Sequence, residues 1–502
     1  MNVAQYLLEK GVSDQIALIT EKEQIRYDDL RDAVNQMAHY LVQNGVQVGE
    51  RVCLLSANSP FWVTTYLATI SIGAVAVPLP LSIQPEELEF VLQLTGCRIV
   101  CLQKRARRFV PESIAQDLTF IFEDQNLLDE VVEVSIHPID KPSTEAVLIF
   151  TSGTTSRPKL VQLSHQNLIA NTESIITYLE LSSTERIMVA MPFYYCFGLS
   201  LLHTHLRVGG TAVLNNHFAF PEKVLNMMEV TECTGFAGVP SMFHTLLRNS
   251  TFVSREFPTL KKVQQAGGYL STVLISELME ALPQAEIFIM YGQTEATARL
   301  SYLPPQLLPE KLGSIGNGIP GVELQVVDSC GDPVVVGETG EIVARGDNIA
   351  LGYLGNPEAT SQKFIDGALQ TGDLAMVDED GFIYIVDRES DILKPNGMRV
   401  SSQKVESIVM RLPGVVQTAV IGVPDAERGE AVRVYAVLAP DVHLEEQAII
   451  AHCRQHMARP VAPTQVRFVK QLPLNSNGKV MHAKLREMAR QELLTSEKVM
   501  VA

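Results

Sequence analysis

The chain has 502 residues, enough for about three average domains or for one large composite unit with a smaller one. An apolar content of 46% with 19% charged residues excludes wholesale disorder. The formal charge of −17 argues against a nucleic-acid partner, because a phosphodiester backbone needs a net basic face; a local basic pocket for a nucleotide stays open.

The opening "MNVAQYLLEKGVSDQ" has no basic-then-apolar leader, and the final "KVMVA" carries no address or lipidation signal, so a cytoplasmic enzyme is expected. "YDDLRDAVNQMAHYLVQNG" spaces Leu30, Val34, Met37 and Leu41 for a helix that stops at Gly45. "RVCLLSAN" then reads as a buried strand. Residues 61–81 approach membrane-spanning length, but Thr, Ser and two prolines break them, and the reading is a buried helix followed by a core strand. This alternation predicts an α/β fold with parallel sheets flanked by helices. Cys53, Cys97, Cys101, Cys196, Cys233, Cys330 and Cys453 are scattered without a CxxC pair, which suits buried reduced thiols better than a zinc or disulfide framework.

"IFTSGTTSRPKLVQLSH" raises the first chemical question. Thr151, Ser152, Gly153, Thr154, Thr155 and Ser156 offer hydroxyls and N–H groups, followed by Pro158 and Lys159. A Walker A loop would need Gly where Pro158 stands and a magnesium-binding hydroxyl where Leu160 stands. Proline has no N–H to give and leucine cannot ligate a metal. What remains is either a phosphate-wrapping loop or a solvated turn.

Two later stretches favour the phosphate. "YGQTEA" follows the strand-like "AEIFIM" and sets Tyr291, Gly292, Thr294 and Glu295 close together: a ring to stack a base, a turn, a hydroxyl and a carboxylate able to hold Mg²⁺. "LQTGDLAMVDEDGFIYIVDR" supplies Asp373, which can accept two ribose hydroxyls, and Arg388, which can bridge sugar and phosphate. From about 320 to 388, short strands split by Gly, Asp and Pro predict an antiparallel or barrel-like subdomain. A new unit follows: a helix from about Ser402, strands near 415–421 and 432–438, a helix near 445–457 and a strand near 465–470.

From "IRYDDL" through "GSIGNGIPGVELQVVD" and "GETGEIVARG" to "LPLNSNGKVMHAKL", the whole chain resembles the adenylate-forming superfamily. That superfamily includes acyl-CoA synthetases, adenylation domains of peptide synthetases and firefly-type luciferases. The resemblance implies a large N-terminal domain (1–388) of two β-sheets flanked by helices plus a β-barrel-like subdomain. A hinge at 389–391, with Ser390 and Asp391, would lead to a small mobile α+β lid (392–502). It implies ATP and Mg²⁺, and a carboxylic acid converted to acyl-AMP and pyrophosphate before transfer to a thiol.

Carried over by position, Ser152 to Lys159 resembles the phosphate loop, and Tyr291 would stack on adenine. Thr294 and Glu295 would take the phosphate and magnesium side, Asp373 the ribose, and Arg388 the ribose–phosphate region. Lys479 matches the catalytic lysine of the C-terminal domain, though by itself it is also an ordinary lysine after an Asn-Gly turn. Gly397, in "KPNGMRV", matches the loop beside the pantetheine arm. "GFAGVPSMF" and "QQAGGYLS", with Gly238, Gly267 and Gly268, resemble the walls of the acyl tunnel.

Departures are local. Ser156 and Leu160 stand where glycines are usual, and Ser390 where Asp or Lys is usual. Tyr195, in "MPFYYCFGLS", replaces the Asp that would pair with an amino acid's ammonium, which suggests a fatty or aryl acid; Tyr195 and Phe197 are expected to line its pocket or to pack in the core. "DILKPNGMRVSS" favours CoA as the thiol, with carrier-protein phosphopantetheine as the alternative and a nucleotide-binding homologue of little turnover as a lesser one. His203 and His205 read as ordinary helix residues.

Overall fold

Apolar runs such as "VAVP" and "IVCL" have no polar face, and they become strands covered on both sides. The computed structural model describes residues 1–124, 134–151, 159–388, 391–425, 428–440, 442–475 and 478–500, with side chains up to Glu492. Val75–Pro78 and Ile99–Leu102 are buried at every position and pair in parallel with Arg51–Leu55. They belong to a seven-stranded sheet that also takes in Glu145–Thr151 and Lys159–Ser164. A second sheet has nine strands, with Arg186–Val189, Thr211–Leu214, Gly235–Gly238, Lys262–Gln265 and Glu286–Tyr291 running parallel.

Residues 61–81 fold as expected. Ser59 caps the helix Pro60–Ser71 by accepting from the Trp62 N–H, and Pro60 sits at its first position. Trp62 stacks on Tyr66 at 5.0 Å between centroids, and the Tyr66 hydroxyl lies 2.8 Å from His203 Nε2. Burial holds His203 down to about 3 and His205 to about 4, so both are neutral packing residues of the helix Cys196–Val208. No described helix is long and apolar enough to cross a membrane.

The two large sheets share one core. A five-stranded antiparallel sheet follows, in which Ala368–Val377 pairs with Gly340–Gly346 along one edge and with Phe364–Ile365 and Ile383–Arg388 along the other. This is the antiparallel subdomain expected from about 320 to 388, and among the described residues no rung runs from Ile383–Arg388 back to Val322–Val327. After it come Ser402–Val409, Val415–Asp425, Gly429–Leu438, Glu446–His456, Gln465–Phe468 and His482–Met500. Every buried residue in the two cores of this segment lies at Leu393 or later.

Candidate active site

Strand register builds the first corner. Asp373 lies opposite Arg388 across the pair Ala368–Val377 and Ile383–Arg388, and the Arg388 Nε–H donates to Asp373 Oδ1 at 3.1 Å. Tyr291 ends the strand Glu286–Tyr291, and its hydroxyl donates to Asp373 Oδ2 at 2.5 Å. Burial, with the Asp373 carboxylate beside it, pushes the Tyr291 phenol well up, so it stays a donor. Gly372 turns at φ +75°, and its N–H donates to Glu341 Oε1 at 2.8 Å, which fixes the backbone that presents Asp373.

The second corner follows Tyr291. Gly292 is required there, because a Cβ would lie 2.0 Å from the Ala298 carbonyl oxygen. The turn Thr294–Ala296 then places Glu295 so that the Tyr353 hydroxyl donates to its Oε1 at 2.7 Å. Lys159 Nζ lies 4.5 Å over the Tyr353 ring, which ties the end of the hydroxyl-rich segment to the same carboxylate. Thr294 is buried, with its hydroxyl 3.5 Å from Cys196 Sγ. No cluster of three or more His, Cys, Asp or Glu able to hold a metal occurs among the described residues. A single half-buried carboxylate suits Mg²⁺ nonetheless, since that ion keeps waters and takes most of its oxygens from substrate phosphates.

Thr151 and Lys159 face each other on antiparallel strands, and the Thr151 hydroxyl donates to the Lys159 carbonyl at 3.2 Å. The hydroxyl-rich segment thus joins two antiparallel strands, whereas a Walker loop leads into a helix. Ser152, Gly153, Thr154, Thr155 and Ser156 lie outside the described residues. Leu160 is a strand residue opposite Phe150 and is buried in a core, so its bulk stands outside the loop.

The third corner comes from the C-terminal segment. Lys479 closes a turn in which its N–H donates to Asn475 Oδ1 at 2.9 Å, with Gly478 at φ +76°. Its ammonium lies 5.5 Å from the Tyr195 ring centroid. Gly267 makes room: a Cβ there would meet Val239 Cγ1 at 2.9 Å, the Tyr195 hydroxyl at 3.1 Å and Lys479 Cε at 3.7 Å. Gly267, Gly268, Tyr291, Asp373, Arg388 and Lys479 line one cavity of about 370 Å³, within the usual range of ligand pockets.

Other expected residues stand apart from it. Phe197 is enclosed beneath the Arg299 guanidinium, 4.0 Å from its ring centroid, and Gly238 is enclosed by Phe236, Met242 and Phe243; neither lines this cavity. Gly397 is exposed, on a loop held by Asn396 to the Arg428 and Pro460 carbonyls. At the expected hinge, Asp391 accepts from Arg486 at 2.7 Å, and Ser390 lies outside the described residues. Six of the seven cysteines are buried free thiols, while Cys330 is exposed.

Sequence reasoning missed Tyr353, Arg299 and the interdomain carboxyl Glu406. Tyr353 and Glu406 carry no motif that marks them, whereas Arg299 stands four residues after Glu295, close enough to have been weighed.

These geometries meet a known pattern. Residues 8–354 match the AMP-binding enzyme family, and residues 404–479 match the AMP-binding enzyme C-terminal domain. A feruloyl-CoA synthase from Amycolatopsis sp is 31% identical over 468 residues, which span 92% of this chain and 93% of that protein. The O-succinylbenzoate CoA synthetase of Bacillus subtilis, solved with its acyl-adenylate, superposes with a TM-score of 0.87 at 26% identity over 97% of this chain and 98% of that one. Solved with ATP and a magnesium ion, the same synthetase gives 0.86 at 27% identity over 96% and 99%. The chain belongs to the AMP-binding enzyme family. Within it, the chain is an AMP-forming acid–thiol ligase.

Proposed function

We propose that this protein joins a carboxylic acid to CoA through an acyl-adenylate. The observation that carries the reading is the cavity where Lys479, from the small C-terminal unit, meets Tyr291, Asp373 and Arg388 of the large one. Asp373 accepts from the ribose hydroxyls, Arg388 spans ribose and phosphate, and Tyr291 lies against adenine. Thr294 donates to phosphate, and Glu295 would hold Mg²⁺, which would supply charge neutralisation on the triphosphate. The hydroxyls from Thr151 to Ser156, with Lys159, wrap the departing pyrophosphate.

The acid needs no general base, because carboxylates are ionised at neutral pH. Its difficulty is an anion attacking a polyanion, so the work is in-line positioning and charge cancellation. The carboxylate oxygen bonds to the α-phosphorus as the bond to pyrophosphate breaks, and Lys479 bridges the incoming oxygen and the α-phosphate. In the second step the thiol sulfur attacks the acyl carbon, loses its proton, and AMP leaves. Lys479 and the thiol cannot share one space, so the small unit has to turn about Asp391 and bring the Gly397 loop inward. The exposed Gly397 and the inserted Lys479 fit the first of these two arrangements.

The domain limits of this reading are 1–388 and 392–502. Relatives named for CoA favour that thiol over a carrier protein's phosphopantetheine, and the buried free thiols suit the cytoplasm. Offering CoA and carrier proteins in parallel, with acids of varied length and ring content, tests the assignment. Acyl-CoA with release of AMP is expected; acyl transfer to carrier alone would overturn the CoA assignment.

A further inference from the structure

Arg299 is a cation shut inside the large unit with no anion against it. It is 1% exposed, and its Nε and Nη2 are buried without a hydrogen-bond partner. No carboxylate pairs with it among the described residues. Its backbone is clamped: Asn171 Nδ2 donates to its carbonyl at 3.0 Å and Asn348 Nδ2 at 2.9 Å. Two residues earlier Thr297 sits at φ +66°, a rare conformation for a β-branched residue, held by its hydroxyl donating to the Asn348 carbonyl at 2.7 Å.

A guanidinium does not lose its proton in a protein, so burial cannot neutralise it. An unpaired buried charge is costly, and stacking on Phe197 with a side-chain hydrogen bond to Tyr178 answers only part of that cost. The stretch Tyr195–Phe197 has Lys479 over its first ring and Arg299 over its last. Burial pushes the Tyr195 phenol and Cys196 thiol up, and the Lys479 and Arg299 charges pull both back. The orphaned fork therefore sits one short segment from the lysine that faces the reacting carboxylate.

We propose that Arg299 is a specificity-determining residue that receives a second carboxylate on the substrate, which makes the activated acid a dicarboxylic one. This rests on the cavity being the adenylation site. A planar fork with two free N–H directions matches a carboxylate. The tail carboxylate supplies the missing counter-charge, and the other carboxylate is left to meet the α-phosphorus.

The test compares straight-chain dicarboxylic acids of increasing length with monocarboxylic acids of the same length, by acid-dependent pyrophosphate exchange. Wild type should favour the diacid at the best length by at least about a hundredfold in kcat/KM. Arg299→Met should erase that preference by raising KM for the diacid with KM for ATP unchanged, and Arg299→Lys should restore part of it. Equal use of both acid types by wild type would overturn the proposal, as would an equal loss for every acid in Arg299→Met. Should no acid support exchange, the adenylation reading fails by itself. In that event a rise in Tm with the diacid alone, present in wild type and absent in Arg299→Met, would still support Arg299 as a carboxylate site, and no such difference would sink it.

Discussion

Lys479 bears the heaviest electrostatic demand in the proposed reaction. A charge pair near 4 Å at an effective dielectric of 20 is worth about 4 kcal/mol, or about a thousandfold in rate if fully expressed in the transition state. Lys479→Ala is therefore expected to slow acyl-AMP formation by about a thousandfold while thioester formation from supplied acyl-AMP persists. Single-turnover assays of the two half-reactions check this, and equal loss in both would remove the lysine from its role. At this scale the sequence was most readable where a side chain acts through its own turn: Asp373 after Thr-Gly, and Glu295 after the Gly292 turn. It was least readable where burial decides. Phe197 read equally as a pocket wall or a core residue and lies under a guanidinium, and Arg299 carried no mark of its burial.

Elements carry the next layer. The antiparallel pair Glu145–Thr151 and Lys159–Ser164 explains why the chain departs from a Walker loop at Leu160: that residue belongs to a returning strand and packs in a core. The helix Ser402–Val409 presents Glu406 to the shared cavity, where its Oε1 accepts from the Val420 N–H at 2.9 Å. Burial pushes Glu406 up to about 8, and Asp387 and Asp391 add to the rise. Arg388, Arg486 and His482 complete the charged surroundings of those two aspartates. A carboxyl raised from its ordinary 4.5 holds its proton in the docked arrangement, so docking weakens as pH climbs from about 4.5 to about 8 and the loss is complete above that. Acyl-AMP formation should thus fall as pH rises from about 4.5 to about 8 in wild type and level off above that, and Glu406→Gln should flatten that fall. The pH–rate profiles of the two proteins provide the check; superimposable profiles would contradict it. No periodicity in the sequence foretells this carboxyl, because its environment is made by two units meeting.

Across the whole molecule, the alternation of strands and helices foretold parallel sheets covered by helices, and Gly/Asp/Pro punctuation foretold the change to antiparallel pairing after about residue 320. Which strand edges meet was not legible, because local sequence does not specify pairing. The proposed catalytic cavity belongs to neither unit alone: Tyr291, Asp373 and Arg388 come from one, and Lys479 from the other. What unites them is a substrate anion driven onto the innermost phosphorus of ATP. Oxygen-18 placed in the carboxylate of the fastest-reacting acid follows that bond directly. One labelled oxygen should leave in AMP after thioester formation, with none in pyrophosphate; AMP without label, or label in pyrophosphate, would contradict the account.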